Sequence, residues 1–138
     1  MEWFMPIVMQ ARAGHPDSAA ALFARSKLVK LYGDTAAQKT VTKLIMDNTR
    51  VWTDTVRPPS APLTPPALAR LDSITSPVLV LLGAHDSRDA HAIADTIVAG
   101  VKRGRLIVFP NAGHVLNIDQ PVRFDSALVG FLGPTGTP

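Results

Sequence analysis

Residues 77–86, Pro-Val-Leu-Val-Leu-Leu-Gly-Ala-His-Asp, are the stretch of sequence that decides the fold. Residues 78–82 contain only valine and leucine. They lack the polar alternation of a half-exposed strand, and such a run is typical of a strand covered on both faces in a parallel sheet. Gly83 ends the run and leads into polar residues. The segment therefore predicts a parallel strand followed by a loop.

Downstream of this strand, the pattern predicts a helix, a second strand and a last helix. Asp89 is a candidate N-cap for the first helix. The apolar face of that helix consists of Ile93, Ala94, Ile97, Val98 and Val101. Gly104 releases the chain into a second apolar run, residues 106–109. The last helix is predicted to begin at Pro121 and to end at Gly133, so that a βαβα unit results.

Upstream, a proline-rich segment separates a helical region from this unit. Residues 57–66 hold five of the chain's 12 prolines, which remove backbone donors and exclude regular structure. Residues 1–15 are apolar around a single proline but show no period, so they predict no particular element. One helix is predicted from Pro16 to Gly33, with Gly33 as its C-terminal cap, and a second begins at Asp34.

The sequence therefore predicts an α/β fold in two parts. Residues 1–66 form a helical segment that ends in the proline-rich linker, and residues 67–138 form the βαβα part. The 138 residues, 46% of them hydrophobic, are enough for one globular core. Two parallel strands are an incomplete sheet, because both outer edges and much of both faces need cover.

Composition excludes several classes of function. The net charge of +3 comes without any run of lysine and arginine, so no nucleic-acid partner is expected. The absence of cysteine excludes disulfides and thiolate metal sites and fits a reducing compartment. The longest apolar stretch, residues 78–84, is too short to cross a membrane, and the first residues lack the basic start of a signal peptide. We expect a cytoplasmic protein without a membrane partner.

Two loops carry the candidate chemistry. The first is residues 83–89, Gly-Ala-His-Asp-Ser-Arg-Asp, and the second is residues 111–117, Asn-Ala-Gly-His-Val-Leu-Asn. Each follows a predicted strand, and the carboxyl ends of neighbouring parallel strands lie together. Asp86 and His114 are therefore expected side by side. A carboxylate that accepts a hydrogen bond from one ring nitrogen leaves the other nitrogen free as a general base.

Several motifs occur in a fixed order along residues 77–132, and they include parts of both loops. They are residues 77–86, the Gly113-His114 pair, Pro121, Phe124 and the closing Phe131-Leu132. Their order and spacing resemble the C-terminal third of the α/β-hydrolase superfamily. The resemblance implies that Asp86 is the acid and His114 the histidine of a catalytic triad, and that residues 1–66 are a helical cap. It also implies hydrolysis of an ester, a lactone or a similar small substrate without an organic cofactor.

The nucleophile that this resemblance requires is missing. It belongs in a Gly-x-Ser-x-Gly turn, and none of the chain's serines has that setting. These serines are Ser18, Ser26, Ser60, Ser73, Ser76, Ser87 and Ser126. The strands and oxyanion-hole amides that precede the cap in the superfamily are missing as well. We expect a C-terminal fragment, a truncated reading frame or one piece of a split enzyme. Relatives that attack with an aspartate, or that make peracids, share the same frame.

Other interpretations of the same residues stay open. Asp86 is also suited to capping a turn, and His114 to a satisfied position in a loop. A metal site would draw on His85, Asp86, Asp89, His91 and His114. Their spacing lacks the paired-ligand pattern of a helix site, so no metal is predicted.

Because so little sheet is present, the chain is predicted to form a homo-oligomer or to associate with the missing N-terminal portion. The resemblance implies that the complete enzyme binds a small-molecule substrate. The alternative is a non-enzymatic interaction or regulatory module that keeps the βαβα frame after losing the nucleophile, because a fold does not certify a chemistry.

Overall fold

A computed structural model describes residues 4–33, 35–53 and 61–133. The elements in chain order are α1 (Met5–Arg12), α2 (Pro16–Ala24), α3 (Gln38–Asp47), β1 (Val78–Gly83), α4 (Arg88–Gly100), β2 (Gly104–Phe109), α5 (Leu116–Asp119) and α6 (Pro121–Leu132). Short 3₁₀ segments span Lys27–Val29, Thr35–Ala37, Thr49–Trp52 and Ala67–Ser73. Among the described residues, no helix combines the length and apolarity needed to cross a membrane.

The two strands pair in parallel, as the sequence predicts. The register runs from Val78 opposite Gly104 to Gly83 opposite Phe109, and α4 connects the strands and packs on both. The described residues therefore have a mixed α/β fold with a two-stranded parallel sheet. This pairing places the carboxyl ends of both strands at one edge.

Cover over the sheet is partial in the described part of the chain. Phe109, Ala112 and Leu116 form a buried cluster against which Phe124 of α6 packs. In contrast, Val108 of β2 is 42% exposed. The expectation that both faces are covered is therefore not met by the described residues, because two strands and their helices supply too little surface for it.

The helical segment differs from the sequence prediction in two places. Residues 1–15, for which the pattern predicts no element, contain α1, which begins at a proline-containing first turn. The helix predicted from Pro16 to Gly33 ends at Ala24, so this prediction was wrong. The side-chain amide of Gln38 accepts from Leu31 N–H (2.8 Å) and donates to the Val29 carbonyl (3.0 Å), which satisfies an extended backbone there.

Helix termini give a second correction. Ser87, not Asp89, is the N-cap of α4, since its hydroxyl accepts from Ala90 N–H at 3.1 Å. Asp89 lies in the first turn, where its negative charge stabilises the helix by interacting with the helix dipole. The predicted end of α6 is confirmed, with Gly133 at φ 75° after the last helical residue. The predicted cap at Asp34 and residues 57–60 of the linker lie outside the described residues.

Candidate active site

The loops after β1 and β2 are joined by backbone hydrogen bonds. Ala84 N–H donates to the Phe109 carbonyl (2.9 Å), and His85 N–H donates to the Ala112 carbonyl (3.0 Å). These bonds continue the contact between the strands into the two loops. The loops therefore approach each other as a direct extension of the parallel pairing.

Gly83 lies where this approach is closest. A Cβ atom at Gly83 would lie 2.1 Å from the carbonyl oxygen of Gly113 and 2.5 Å from that of Ala112. No side chain fits between these backbones. The requirement for glycine at the end of β1 is therefore steric. The absence of a side chain at Gly83 allows the two loops to come into contact.

Asp86 and His114 meet across these loops. Asp86 Oδ2 lies 2.8 Å from His114 Nδ1, and Asp86 Oδ1 accepts from Ser87 N–H at 2.6 Å. The Asp86 side chain is only 6% exposed, whereas the His114 side chain is 50% exposed. The proximity expected from the strand ends is thus present, with a buried carboxylate behind a half-exposed imidazole.

This geometry sets the tautomer of His114. A carboxylate only accepts hydrogen bonds, so Nδ1 carries the proton that is shared with Asp86. The opposite nitrogen, Nε2, then keeps its lone pair. A nitrogen in that state on a half-exposed ring can take a proton from a hydroxyl group within hydrogen-bond reach.

A stacked pair of rings lies next to Asp86. The rings of Tyr32 and His85 have centroids 4.3 Å apart and planes inclined by 17°. Lys30 Nζ lies 5.0 Å from the centroid of the Tyr32 ring. The sequence pattern does not predict Tyr32 as a site residue, since only the tertiary fold brings it to His85.

A cavity of about 540 Å³ opens beside this pair. The helical segment contributes mostly apolar lining together with Ser26 and Lys27, and the first loop contributes polar lining. The lining includes Ile7, Leu22, Leu28, Tyr32, His85 and Asp86. The volume falls within the range of about 300–1,000 Å³ that is usual for small-molecule sites. The helical segment and the βαβα part therefore enclose a space that reaches the acid of the candidate pair.

Asp119 is a second buried acid, and the sequence motifs do not point to it. Its residue exposure is 2%, and its carboxylate accepts from the backbone N–H groups of Tyr32 (2.8 Å), Gly33 (2.6 Å) and Gly113 (2.8 Å). Its position near apolar Leu116 and Ile118 is the one local signal for burial. Two of the donors, Tyr32 and Gly33, lie more than 80 residues away in the chain, which a local pattern does not reveal.

The candidate metal ligands do not form a cluster. Within residues 4–33, 35–53 and 61–133, no three acidic, histidine or cysteine side chains are placed to hold an ion together. Asp86 bonds to His114, Asp89 lies in the first turn of α4, and His85 stacks on Tyr32.

Comparison with known proteins identifies the frame around this site. A family model described as "Alpha/beta hydrolase family" matches residues 1–127. No curated protein matches the chain. Solved structures do match, at sequence identities that support similarity of fold alone.

Three of these structures are similar over most of the chain. The naproxen esterase (carboxylesterase NP) from Bacillus subtilis has a TM-score of 0.65 and 22% identity, covering 96% of this chain and 46% of the esterase. The esterase EaEST from Exiguobacterium antarcticum has a TM-score of 0.62 and 17% identity, covering 94% and 47%. Est816, described as an N-acyl homoserine lactone degrading enzyme, has a TM-score of 0.59 and 19% identity, covering 88% and 51%. The chain thus spans about half the length of these structures.

Proposed function

The chain belongs to the alpha/beta hydrolase family, and we propose that it supplies the acid and the base of a catalytic triad that hydrolyses an ester, a lactone or a similar small acyl substrate. Asp86 is the acid and His114 is the base. The observation that carries the proposal is the 2.8 Å hydrogen bond from His114 Nδ1 to Asp86, formed between loops at the ends of paired parallel strands.

The chemistry follows from the free nitrogen of His114. Nε2 takes the proton of a hydroxyl nucleophile as that oxygen attacks the acyl carbon of the substrate. The imidazolium that forms is stabilised by the Asp86 carboxylate. Nε2–H then donates its proton to the leaving alcohol, and water, activated by the same nitrogen, releases the acid. If the nucleophile is an aspartate carboxylate instead, it needs no deprotonation, and His114 acts only on the water.

The nucleophile comes from a polypeptide segment other than these 138 residues. No serine of the chain lies in a Gly-x-Ser-x-Gly turn. Ser87, the serine closest in sequence to Asp86, has its hydroxyl engaged as the N-cap of α4. The similar esterases are about twice as long as the chain, which leaves room for a segment that carries the nucleophile and the oxyanion hole. The proposed partner of the chain is that segment.

The cavity suggests which part of the substrate this chain contacts. Part of its wall is apolar, along Ile7, Leu22 and Leu28, and the first loop supplies polar residues on another part. An apolar acyl or alcohol group fits such a wall, because burial of apolar surface favours binding by roughly 25 cal/mol per Å². The polar wall then places the scissile bond toward Asp86, whose carboxylate bonds to His114.

The experiment that tests the function needs the nucleophile. The chain is joined to the polypeptide encoded in frame upstream of Met1, or co-expressed with the neighbouring gene product that carries a serine or aspartate elbow. Hydrolysis of p-nitrophenyl esters is measured for the wild type and for His114→Ala, with His91→Ala on α4 as the control. We expect His114→Ala to abolish turnover and His91→Ala to leave it unchanged. Equal activity of the two variants would refute the proposal.

The chain by itself is expected to be inactive. His114 has no activated hydroxyl to serve, so the purified chain should hydrolyse p-nitrophenyl acetate no faster than buffer containing free imidazole. Release of nitrophenolate, followed by absorbance, checks this prediction. Turnover that His114→Ala abolishes would contradict it, and would mean that a serine of this chain acts outside the expected turn.

One observation favours a second function, that of a non-enzymatic interaction module. The missing nucleophile turn is what an enzyme-derived binding protein would show. The upstream DNA discriminates between the two functions. An elbow encoded in frame or in a neighbouring gene favours the enzyme, and its absence from both places favours the module.

A further inference from the structure

The carboxylate of Asp119 is buried, and its hydrogen-bond donors are backbone amides. Oδ1 accepts from Tyr32 N–H and Gly33 N–H, and Oδ2 accepts from Gly113 N–H at 2.8 Å. The residue is 2% exposed. A buried carboxylate is costly unless its oxygens are hydrogen-bonded, and in this structure each oxygen has at least one donor.

Two of the three donor residues are close to the candidate acid and base. Gly113 directly precedes His114 in the second loop. Tyr32 stacks on His85, which directly precedes Asp86 in the first loop. Asp119 thus holds the base through a neighbouring amide and lies two contacts away from the acid.

We propose that Asp119 is a positioning residue that fixes the loop of His114 in register with Asp86. The inference rests on the proposed function, because it assigns to Asp119 the task of aligning that acid and base. Asp119 does not touch the reacting atoms. It fixes the backbone position just before His114 by accepting a hydrogen bond from the Gly113 amide. Through the amides of Tyr32 and Gly33, it also joins that loop to the helical segment that lines the cavity.

The variant Asp119→Asn separates the two links of this clamp. An amide side chain has one acceptor oxygen and one donor nitrogen, whereas a carboxylate has two acceptors. With its oxygen toward Tyr32 and Gly33, the asparagine keeps two bonds. Its NH₂ group then faces the N–H of Gly113, so the bond to the second loop is lost. The substitution therefore frees the His114 loop with almost no change in side-chain volume.

The readout is the His114 ring in NMR spectra of the ¹⁵N-labelled full chain. In the wild type, the Nδ1 proton shared with Asp86 is expected as a resolved downfield resonance. In Asp119→Asn, we expect this resonance to be lost or broadened beyond detection and the Gly113 amide proton to move upfield. The amides of Tyr32 and Gly33 are expected to stay close to their wild-type shifts.

Leu116→Ala is the matched control. Leu116 is a buried residue of the same short helix, and its truncation removes core packing without touching the carboxylate. Leu116→Ala should keep the Nδ1 resonance while lowering the urea midpoint of unfolding. Loss of the resonance in both variants, at equal loss of stability, would show that Asp119 is merely structural and would overturn the inference.

The outcomes also separate this inference from the function on which it rests. If the wild type lacks the shared Nδ1 proton, the proposed acid and base pair fails. If the wild type has it and a folded Asp119→Asn keeps it unchanged, only the positioning role fails.

Should Asp119→Asn not fold, hydrogen exchange in the wild type carries the test. The amides of Tyr32, Gly33 and Gly113 share one acceptor residue, so they should exchange through one opening event with the same dependence on urea. Independent opening of Gly113 would overturn the inference.

Discussion

At the scale of single residues, Asp86 and His114 are predictable because each follows a recognisable strand within a few residues. The strands fix where the loops begin, and parallel pairing fixes that the loops meet. This topology predicts that the two side chains lie close together, and in the structure they are 2.8 Å apart. The roles of Asp119 and Tyr32 are not predictable, because their contacts join residues from separate parts of the chain and leave no local pattern.

The first prediction concerns the acid. In the enzyme completed with its nucleophile, Asp86→Asn should lower kcat by on the order of 10³–10⁴-fold, because an amide no longer holds the tautomer that leaves Nε2 free. Asp89→Asn is the control, since Asp89 is an exposed residue in the first turn of α4. Steady-state hydrolysis of p-nitrophenyl esters checks both variants. Equal kcat values would remove Asp86 from the mechanism.

At the scale of elements, local signals are sufficient wherever an element is bounded by its own residues. Both strands and α6 begin and end as predicted to within a residue or two. Gly104 marks the beginning of β2, and Pro121 and Gly133 mark the beginning and the end of α6. The helix from Pro16 is predicted too long because the apolar spacing continues past Ala24, whereas the backbone turns extended at Ser26. Further along, the Gln38 side chain bonds to the Val29 carbonyl and the Leu31 N–H, and only the tertiary position of α3 brings it there.

The close approach of the loops gives a prediction for β1. Gly83→Ala should destabilise the chain by about 1–3 kcal/mol, the usual cost of overpacking, because its Cβ has no space beside the Gly113 carbonyl. Gly130→Ala on α6 is the control, since a Cβ there meets nothing within 4 Å. That control should stabilise the helix by up to about 1 kcal/mol. Urea unfolding followed by circular dichroism measures both, and a neutral Gly83→Ala would contradict the close packing of these two loops.

At the scale of the whole molecule, the described part of the chain holds the candidate acid and base at the end of a sheet of two strands. Two parallel strands leave unpaired backbone groups on both outer edges, which are templates for another chain. Val108 of β2 and Val129 of α6 are 42% and 64% exposed. The sequence predicts this shortage of sheet because it contains only two apolar strand runs.

We therefore predict that the chain associates, either with itself or with the segment that carries the nucleophile. Light scattering on size-exclusion fractions should report a mass above that of one chain of 14.8 kDa. Val108→Lys places a charge on the uncovered part of β2 and should reduce that mass. Val51→Lys is the control, because Val51 is 71% exposed in the helical segment, and it should leave the mass unchanged. A monodisperse monomer with strongly protected amides from Val78 to Leu82 would show instead that the chain completes its own core.

We propose above all that this member of the alpha/beta hydrolase family holds a base oriented by an acid. The measurement that tests it most directly is a long-range ¹H–¹⁵N correlation spectrum of the His114 ring, recorded on the wild-type chain and on Asp86→Asn. The structure predicts the Nδ1-protonated tautomer in the wild type, with a downfield Nδ1 proton that disappears in the variant. An Nε2-protonated ring, or a spectrum that Asp86→Asn leaves unchanged, would contradict the claim.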